Sequence, residues 1–166
     1  RKFLKETKVQ TFTLKDGEAL QGKAQKISEQ LMHPKNYAEN PEIKESRLTA
    51  HSSLRMELPD GEKAVRSLSI RVSEVGSANY ISLMRSLIVK ISFDGVQTVC
   101  APLSDLTGAG MGAPAVRSYY LEADGKGYSE LRFVMPYRRK AHIEVENISE
   151  NSANVKIEAC ISAWKW

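Results

Sequence analysis

The sequence predicts an all-β protein, a two-sheet antiparallel sandwich of jelly-roll type with one N-terminal helix. The main observation is a change from helical to alternating periodicity at Arg47, after which apolar residues recur at every second position. Turn signals separate these runs. No alternation of strands with helices follows residue 47, which disfavours a parallel sheet. Six to eight short strands with long connections therefore favour the sandwich.

The first element is a helix, predicted over Lys15–Met32. Thr13 or Asp16 can cap its start, and a polar loop with two prolines is predicted over 34–46. Its apolar residues recur at helical spacing and form one stripe, which consists of Leu20, Ala24, Ile27 and Leu31. We expect this stripe to pack on an outer face of the sandwich or against a neighbouring domain.

Strands are predicted next over 48–58 and 64–72, followed by four runs with clear alternation. In each run one set of side chains should face the core and the other set should face solvent. The predicted inward residues are Leu87, Val89, Ile91 and Phe93, then Leu131, Phe133 and Met135, then Ala141, Ile143 and Val145, and last Val155, Ile157, Ala159 and Ile161. The predicted tight turns are Pro59-Asp60-Gly61, Asp94-Gly95 and Asp124-Gly125-Lys126-Gly127.

Composition narrows the classes of function. The 166 residues carry a net charge of +4, and 42% of them are hydrophobic, which is usual for a globular protein. No apolar run is long enough to span a membrane. The main basic cluster is Arg138, Arg139, Lys140 and His142. A nucleic-acid interface would need more basic residues interleaved with aromatic ones, so we interpret this cluster as a solvated turn and strand face.

Residues of the types that bind metals or act as nucleophiles show no recognisable motif. Cys100 and Cys160 are far apart, and they are interpreted as small hydrophobic side chains, although a disulfide between them is possible. The three histidines are His33, His51 and His142, and none has a serine or cysteine partner in a known arrangement, so they are interpreted as surface residues. No metal or other cofactor is therefore predicted.

One segment combines glycines with polar and aromatic residues. Its three glycines are Gly108, Gly110 and Gly112. The segment lacks the Gly-Lys-Ser/Thr of a phosphate loop and the spacing of a dinucleotide fingerprint. It is either an irregular connection of the sandwich or a loop that shapes a binding cleft or subunit contact. The first interpretation is the simpler one, and the support for the second comes from Asp105, Tyr119 and Tyr120, which flank the glycines.

Carboxylates near this segment could form the pair that glycoside hydrolysis requires. The candidates are Asp94, Asp105, Glu122 and Glu130. Asp94 is most simply a turn residue, and Asp105 could cap a short helical turn. Trp164 and Trp166 could stack on a sugar ring or pack against a continuation of the chain.

Three motifs in order resemble those of a known family, the domain-of-unknown-function family 2961, which is also glycoside hydrolase family 172. The motifs are Phe93-Asp94-Gly95, then Pro102-Leu103-Ser104-Asp105-Leu106-Thr107-Gly108, then Phe133-Val134-Met135-Pro136-Tyr137-Arg138-Arg139. The likeness covers about residues 60–166. Leu106 and Thr107 depart from the usual Phe-Phe of the second motif.

The resemblance implies a jelly-roll domain of bacterial enzymes that act on arabinofuranosides or fructofuranosides and often form trimers. Residues 1–46 would be a lead-in from a preceding domain and 47–166 the jelly roll. The family's catalytic acidic motifs do not occur here, so the catalytic carboxylates are expected outside this chain, in a periplasmic or secreted protein. The other interpretation is a non-catalytic module that binds carbohydrate or assembles an oligomer.

Overall fold

The computed structural model describes residues 11–33, 40–73 and 80–166 of the chain. The chain forms two compact units, residues 1–34 and residues 35–166. In these described ranges no helix combines the length and the apolar character that crossing a bilayer requires.

The first unit contains helix α1 (Leu14–Met32), which confirms the predicted helix. Thr13 is the N-cap, and it forms a capping box with Asp16, in which the Thr13 backbone N–H donates to Asp16 Oδ2 at 2.8 Å. The apolar stripe of α1 is about half exposed, and no residue of the helix is buried. What covers this stripe stays a prediction.

The second unit consists mainly of strands. In chain order they are β1 (Glu42–Leu48), β2 (Ser53–Glu57), β3 (Lys63–Ser73), β4 (Leu87–Phe93), β5 (Val96–Pro102), β6 (Val116–Arg117), β7 (Leu121–Ala123), β8 (Tyr128–Leu131), β9 (Met135–Tyr137), β10 (Ala141–Asn147) and β11 (Ala153–Ala163). Two short helices, α2 (Tyr80–Ser86) and α3 (Leu103–Leu106), and a 3₁₀ turn, Gly110–Gly112, lie between them.

The strands form two antiparallel sheets. The first sheet has the order β1-β11-β3-β8-β7-β6, with β9 also paired to β3, and the second has the order β2-β10-β4-β5. Alternate residues of the central strands face the space between the sheets and are fully buried, for example Ile70, Ile157, Ile91 and Ile143. This arrangement confirms the all-β sandwich and the phase predicted for β10, for most of β11 and for β4 as far as Ile91. Beyond Ile91 the register between β4 and β5 shifts, so Ser92 is buried and Phe93 is only partly buried.

The last predicted inward residue of β11 is only partly buried. The register between β3 and β11 shifts between Cys160 and Ile161, and this irregularity changes the alternation there. Ile161 consequently packs at the margin of the core.

The strand predicted through Leu131, Phe133 and Met135 is wrong, because it is two strands. Both β8 and β9 pair with β3, but at separate places along it. Between them the Arg132 backbone N–H donates to the Tyr120 carbonyl at 2.8 Å instead of to β3. Phe133 therefore leaves the inward phase and is 41% exposed.

The single strand predicted over 48–58 is also wrong, because a turn divides it. Residues 49–52 connect β1 to β2, which lie in different sheets, and His51 has a φ of 56° in this turn. The loop predicted over 34–46 is wrong for residues 42–46, which pair with β11 as part of β1. Its residues 34–39 lie outside the described ranges. The origin of residues 1–46 in a preceding domain stays a prediction.

The three predicted tight turns are confirmed by positive φ angles at their glycines, Gly61, Gly95, Gly125 and Gly127, and at Asp94. Asp94 also has a second structural role, because its carboxylate accepts the backbone N–H groups of residues 138–140 at 2.7–3.1 Å. These bonds, that of Arg138 first, lower the pKa of Asp94. Asp94 thus connects the β4–β5 turn to the β9–β10 turn, and Arg138, Arg139 and Lys140 are exposed there as predicted.

Both cysteines are free thiols. Cys160 is buried as expected of a small hydrophobic side chain, whereas Cys100 is exposed on the edge strand β5, so that part of the prediction is wrong. His51 pairs with Glu150 at 3.0 Å, and His142 lies 3.2 Å from the Arg55 guanidinium. Both contacts are on the surface, in agreement with the interpretation of these histidines as surface residues.

Candidate functional site

The segment after β5 begins with a short helix anchored in the core. Leu103, Ser104 and Thr107 are all fully buried, and the Thr107 hydroxyl donates to the Leu103 carbonyl at 3.0 Å. The N-cap of α3 is Pro102, with no side-chain cap, so the predicted capping role of Asp105 is wrong. Asp105 lies inside α3 and faces solvent because the other side of this turn is buried.

Asp105 is held by a surface contact from α2. Arg85 Nη1 lies 3.5 Å from Asp105 Oδ1, and both side chains are more than two-fifths exposed. An ion pair with this exposure contributes little to stability. Asp105 therefore has an accessible carboxylate next to one arginine.

The glycines after α3 allow the backbone to adopt angles that other residues rarely adopt. Gly108 and Gly110 have φ angles of +75° and +62°, a conformation that side chains rarely adopt. A Cβ on Gly108 would lie 3.6 Å from Leu121 Cδ1, whereas Gly110 has open space around it. The segment therefore runs beside Leu121, the residue that follows the tyrosine pair.

Three rings, of which Tyr120 and Phe133 are exposed and Tyr119 is half-buried, form a cluster at this end of the first sheet. The Tyr119 and Tyr120 rings meet edge to face with centroids 4.9 Å apart, and Tyr120 stacks on Phe133 at 5.3 Å and an interplanar angle of 6°. Tyr120 is 51% exposed, and the neighbouring Val134 is also exposed. We call Tyr119, Tyr120, Phe133 and Val134 the aromatic surface.

Hydrogen bonds fix the backbone beneath the aromatic surface. The Ser118 N–H donates to the Leu121 carbonyl at 2.8 Å, and the Leu121 N–H donates to Ser118 Oγ at 3.0 Å. The bond from the Arg132 N–H to the Tyr120 carbonyl joins this turn to the end of β8. The rings are therefore held in place before any ligand binds, which lowers the entropic cost of binding.

The carboxylates of Glu122 and Glu130 share one arginine. The two residues are opposite each other in the β7–β8 ladder, and both bind Arg132 Nη2. The Tyr128 hydroxyl also donates to Glu130 Oε2 at 3.1 Å, and burial together with the Glu130 charge raises the pKa of Tyr128. Glu122 and Glu130 are therefore held in an ion-pair network within the protein.

The tryptophans at the end of the chain each contact an arginine. The Arg66 guanidinium lies 5.0 Å from the centroid of Trp164, and that of Arg138 lies 4.6 Å from the centroid of Trp166. Both residues follow the end of β11 at Ala163, so no strand pairing aligns their rings. Within the described ranges, no hydrogen bond or ring contact joins them or Asp105 to the aromatic surface.

Sequence reasoning identified Tyr119 and Tyr120 as site candidates but missed Phe133 and Arg132. Phe133 was assigned to the core because it continues the alternation of β8. One local signal against an uninterrupted central strand is Pro136, which lies within the short strand β9. The described residues also contain no group of three or more His, Cys, Asp or Glu side chains that could hold a metal ion.

Fold and surface together define an antiparallel β-sandwich domain with preorganised, exposed aromatic side chains at one end of a sheet. Sandwiches of this type occur in lectin domains among others, so the class alone does not assign an activity. The profile of the GH172 domain-like family matches residues 40–160, more than half of the chain. The chain belongs to this glycoside-hydrolase-related family. A comparison with curated proteins finds no match.

Proposed function

We propose that this chain is the β-sandwich domain of a glycoside hydrolase acting on furanosidic glycans, either arabinofuranosides or fructofuranosides. The bond-breaking carboxylates lie outside these 166 residues, and the aromatic surface contacts the carbohydrate. The observation that carries the proposal is the stacked, half-exposed pair of Tyr120 and Phe133 in a member of the GH172 domain-like family.

The aromatic surface suits a sugar because a ring face presents apolar C–H groups while its hydroxyls point outward. Flat side chains with a polar tip, such as Tyr119 and Tyr120, can contact both kinds of group. The proposed location of catalysis rests on a different observation. The carboxylates beside the surface, Glu122 and Glu130, are both bound to Arg132, and Asp105 lies next to Arg85.

The aromatic surface is tested by measuring the binding of arabinan and fructan oligosaccharides. Tyr120→Ala should weaken binding about three- to tenfold, the equivalent of one aromatic contact. Tyr120→Phe should retain most of the affinity because it keeps the ring. Val96→Ala removes an apolar side chain that is 63% exposed on the other sheet, and it should bind as the unaltered chain does. Equal affinity of Tyr120→Ala and Val96→Ala would exclude the aromatic surface as the binding face.

The location of catalysis is tested with aryl arabinofuranosides and fructofuranosides. Turnover by the complete gene product, with none by the 166-residue chain, is the expected result. Turnover by the 166-residue chain alone would contradict the proposal. Glycan binding without turnover by either protein would instead indicate a non-catalytic carbohydrate-binding module.

A further inference from the structure

A polar cleft lies on the outer face of the first sheet, across β11, β3 and β8. Its volume is about 250 Å³. The lining is mainly polar, and the residues that matter here are Ser67, Ser69, Arg71, Tyr128, Glu130 and Glu158. None of them belongs to the aromatic surface.

Strand register explains why a cleft forms there. Ser69 of β3 pairs with Glu158 on one side and with Glu130 on the other, so all three side chains form one row across the sheet. Neighbouring strands are about 4.8 Å apart, which places the two glutamate backbones roughly 10 Å from each other. The short serine between two longer side chains leaves a depression with a carboxylate on each wall.

Each wall is fixed by contacts within the protein. Glu158 accepts from Lys156 Nζ at 2.5 Å and from Ser69 Oγ at 3.3 Å, and the Lys156 bond is the main reason why the pKa of Glu158 is lowered. The Arg71 guanidinium lies 4.9 Å from the centroid of the Tyr128 ring. These contacts hold the polar groups in position around the cleft.

The charges around the cleft indicate the class of ligand. Three carboxylates, Glu122, Glu130 and Glu158, are balanced by three cations. These are Arg71, Lys156, which binds Glu158, and Arg132, which binds the other two carboxylates. An anion would be repelled by the carboxylates. A metal cation would be repelled by Arg71, and the cleft offers too few carboxylates to replace the water molecules bound to the ion. A neutral ligand with several hydroxyls meets neither obstacle.

We propose that this cleft binds a single neutral sugar ring through hydrogen bonds to its hydroxyls. Both contacts of Glu130 use Oε2, so Oε1 can accept from a ligand hydroxyl. Glu158 has further lone pairs, and the Arg71 guanidinium carries five N–H donors. The volume is below that of pockets for drug-sized ligands, which suits one ring rather than an oligosaccharide.

The test is a titration of the ¹⁵N-labelled chain with D-arabinose and D-fructose, with calcium chloride and sodium phosphate as separate arms. We expect saturable amide shifts from a sugar, centred on Ser69, Tyr128 and Glu158. Glu158→Gln, which keeps the shape of the side chain, should raise the dissociation constant at least about tenfold, as expected when a charged hydrogen-bond partner is lost. Ser69→Leu should fill the cleft and abolish the saturable shifts.

The matched control is Glu144→Gln. Glu144 also projects from the outer face of a strand and lies near a lysine, Lys90, but it is on the second sheet. This variant should bind as the unaltered chain does, because Glu144 is not among the residues that line the cleft. The proposal is overturned if the sugars leave these amides unshifted, if Glu158→Gln binds normally, or if only calcium or phosphate shifts them.

Discussion

Gly127 offers a sharp test of the packing between β3 and β8. It has a φ of +117°, and a Cβ built there would lie 2.1 Å from the Val72 carbonyl oxygen. The Gly127 carbonyl in turn accepts the Val72 N–H at 2.8 Å. Gly127→Ala therefore adds a methyl group where two backbones already touch, directly before Tyr128 of the proposed cleft.

Gly61 is the matched position, because its φ is +105° but a Cβ there would meet nothing within 4 Å. Both alanine variants share the cost of an unfavourable φ, about 1–3 kcal/mol. Only Gly127→Ala must also move the Val72 carbonyl by roughly 1 Å, which adds about 1–3 kcal/mol of overpacking and weakens a hydrogen bond of about 1 kcal/mol. We expect the free energy of unfolding of Gly127→Ala to be about 2–4 kcal/mol lower than that of Gly61→Ala.

Thermal and urea unfolding followed by far-UV circular dichroism measure this difference. At about 2–4 °C per kcal/mol for a chain of this size, Gly127→Ala should melt about 4–16 °C below Gly61→Ala. Equal midpoints would show that β3 and β8 can move apart at this point without loss of stability. The close approach of Gly127 to Val72 would then contribute nothing to the free energy of unfolding.

Two further predictions concern the core. Ile143→Ala should lower the free energy of unfolding by about 2–5 kcal/mol because the side chain is fully buried, whereas Phe133→Ala should lower it clearly less because that ring is 41% exposed. The midpoints of urea unfolding measure both losses. Equal losses would indicate that Phe133 is a core residue after all. The buried Tyr137 hydroxyl donates to the Pro59 carbonyl at 2.7 Å, and burial raises the pKa of Tyr137 to about 12. Unfolded chains lose this proton near pH 10, so the free energy of unfolding should fall by about 2–3 kcal/mol between pH 10 and 12 in the unaltered chain. Tyr137→Phe should lack this part of the decline, and identical pH profiles would contradict the assignment.

Local chemistry made much of the fold predictable. The Thr13 and Asp16 pair marks the start of α1 because a capping box needs only residues three positions apart. The inward residues of β4 and β10 could be read from alternation, since a strand with one buried face must place its apolar side chains at every second position. The tight turns followed from glycines that tolerate positive φ.

Breaks in the alternation could not be read in the same way. Phe133 continues the pattern of β8, but β8 and β9 pair with different parts of β3, and the residues between them bond to Tyr120 instead. Residues 42–46 read as a polar loop because β1 is an edge strand whose side chains are nearly all exposed. Such strands are stabilised by backbone hydrogen bonds to the neighbouring strand, and the pattern of apolar and polar side chains in the sequence does not reveal these bonds.

By itself, the sequence determined the all-β class, the N-terminal helix, the turns and the family likeness, because these depend on short-range patterns and on residue types. Only the tertiary structure decided which side chains meet. It stacked Phe133 on Tyr120 and placed Glu130 and Glu158 on opposite sides of Ser69. The reason is physical: strand register and ring stacking depend on contacts between residues distant in the chain, and no local pattern encodes those contacts.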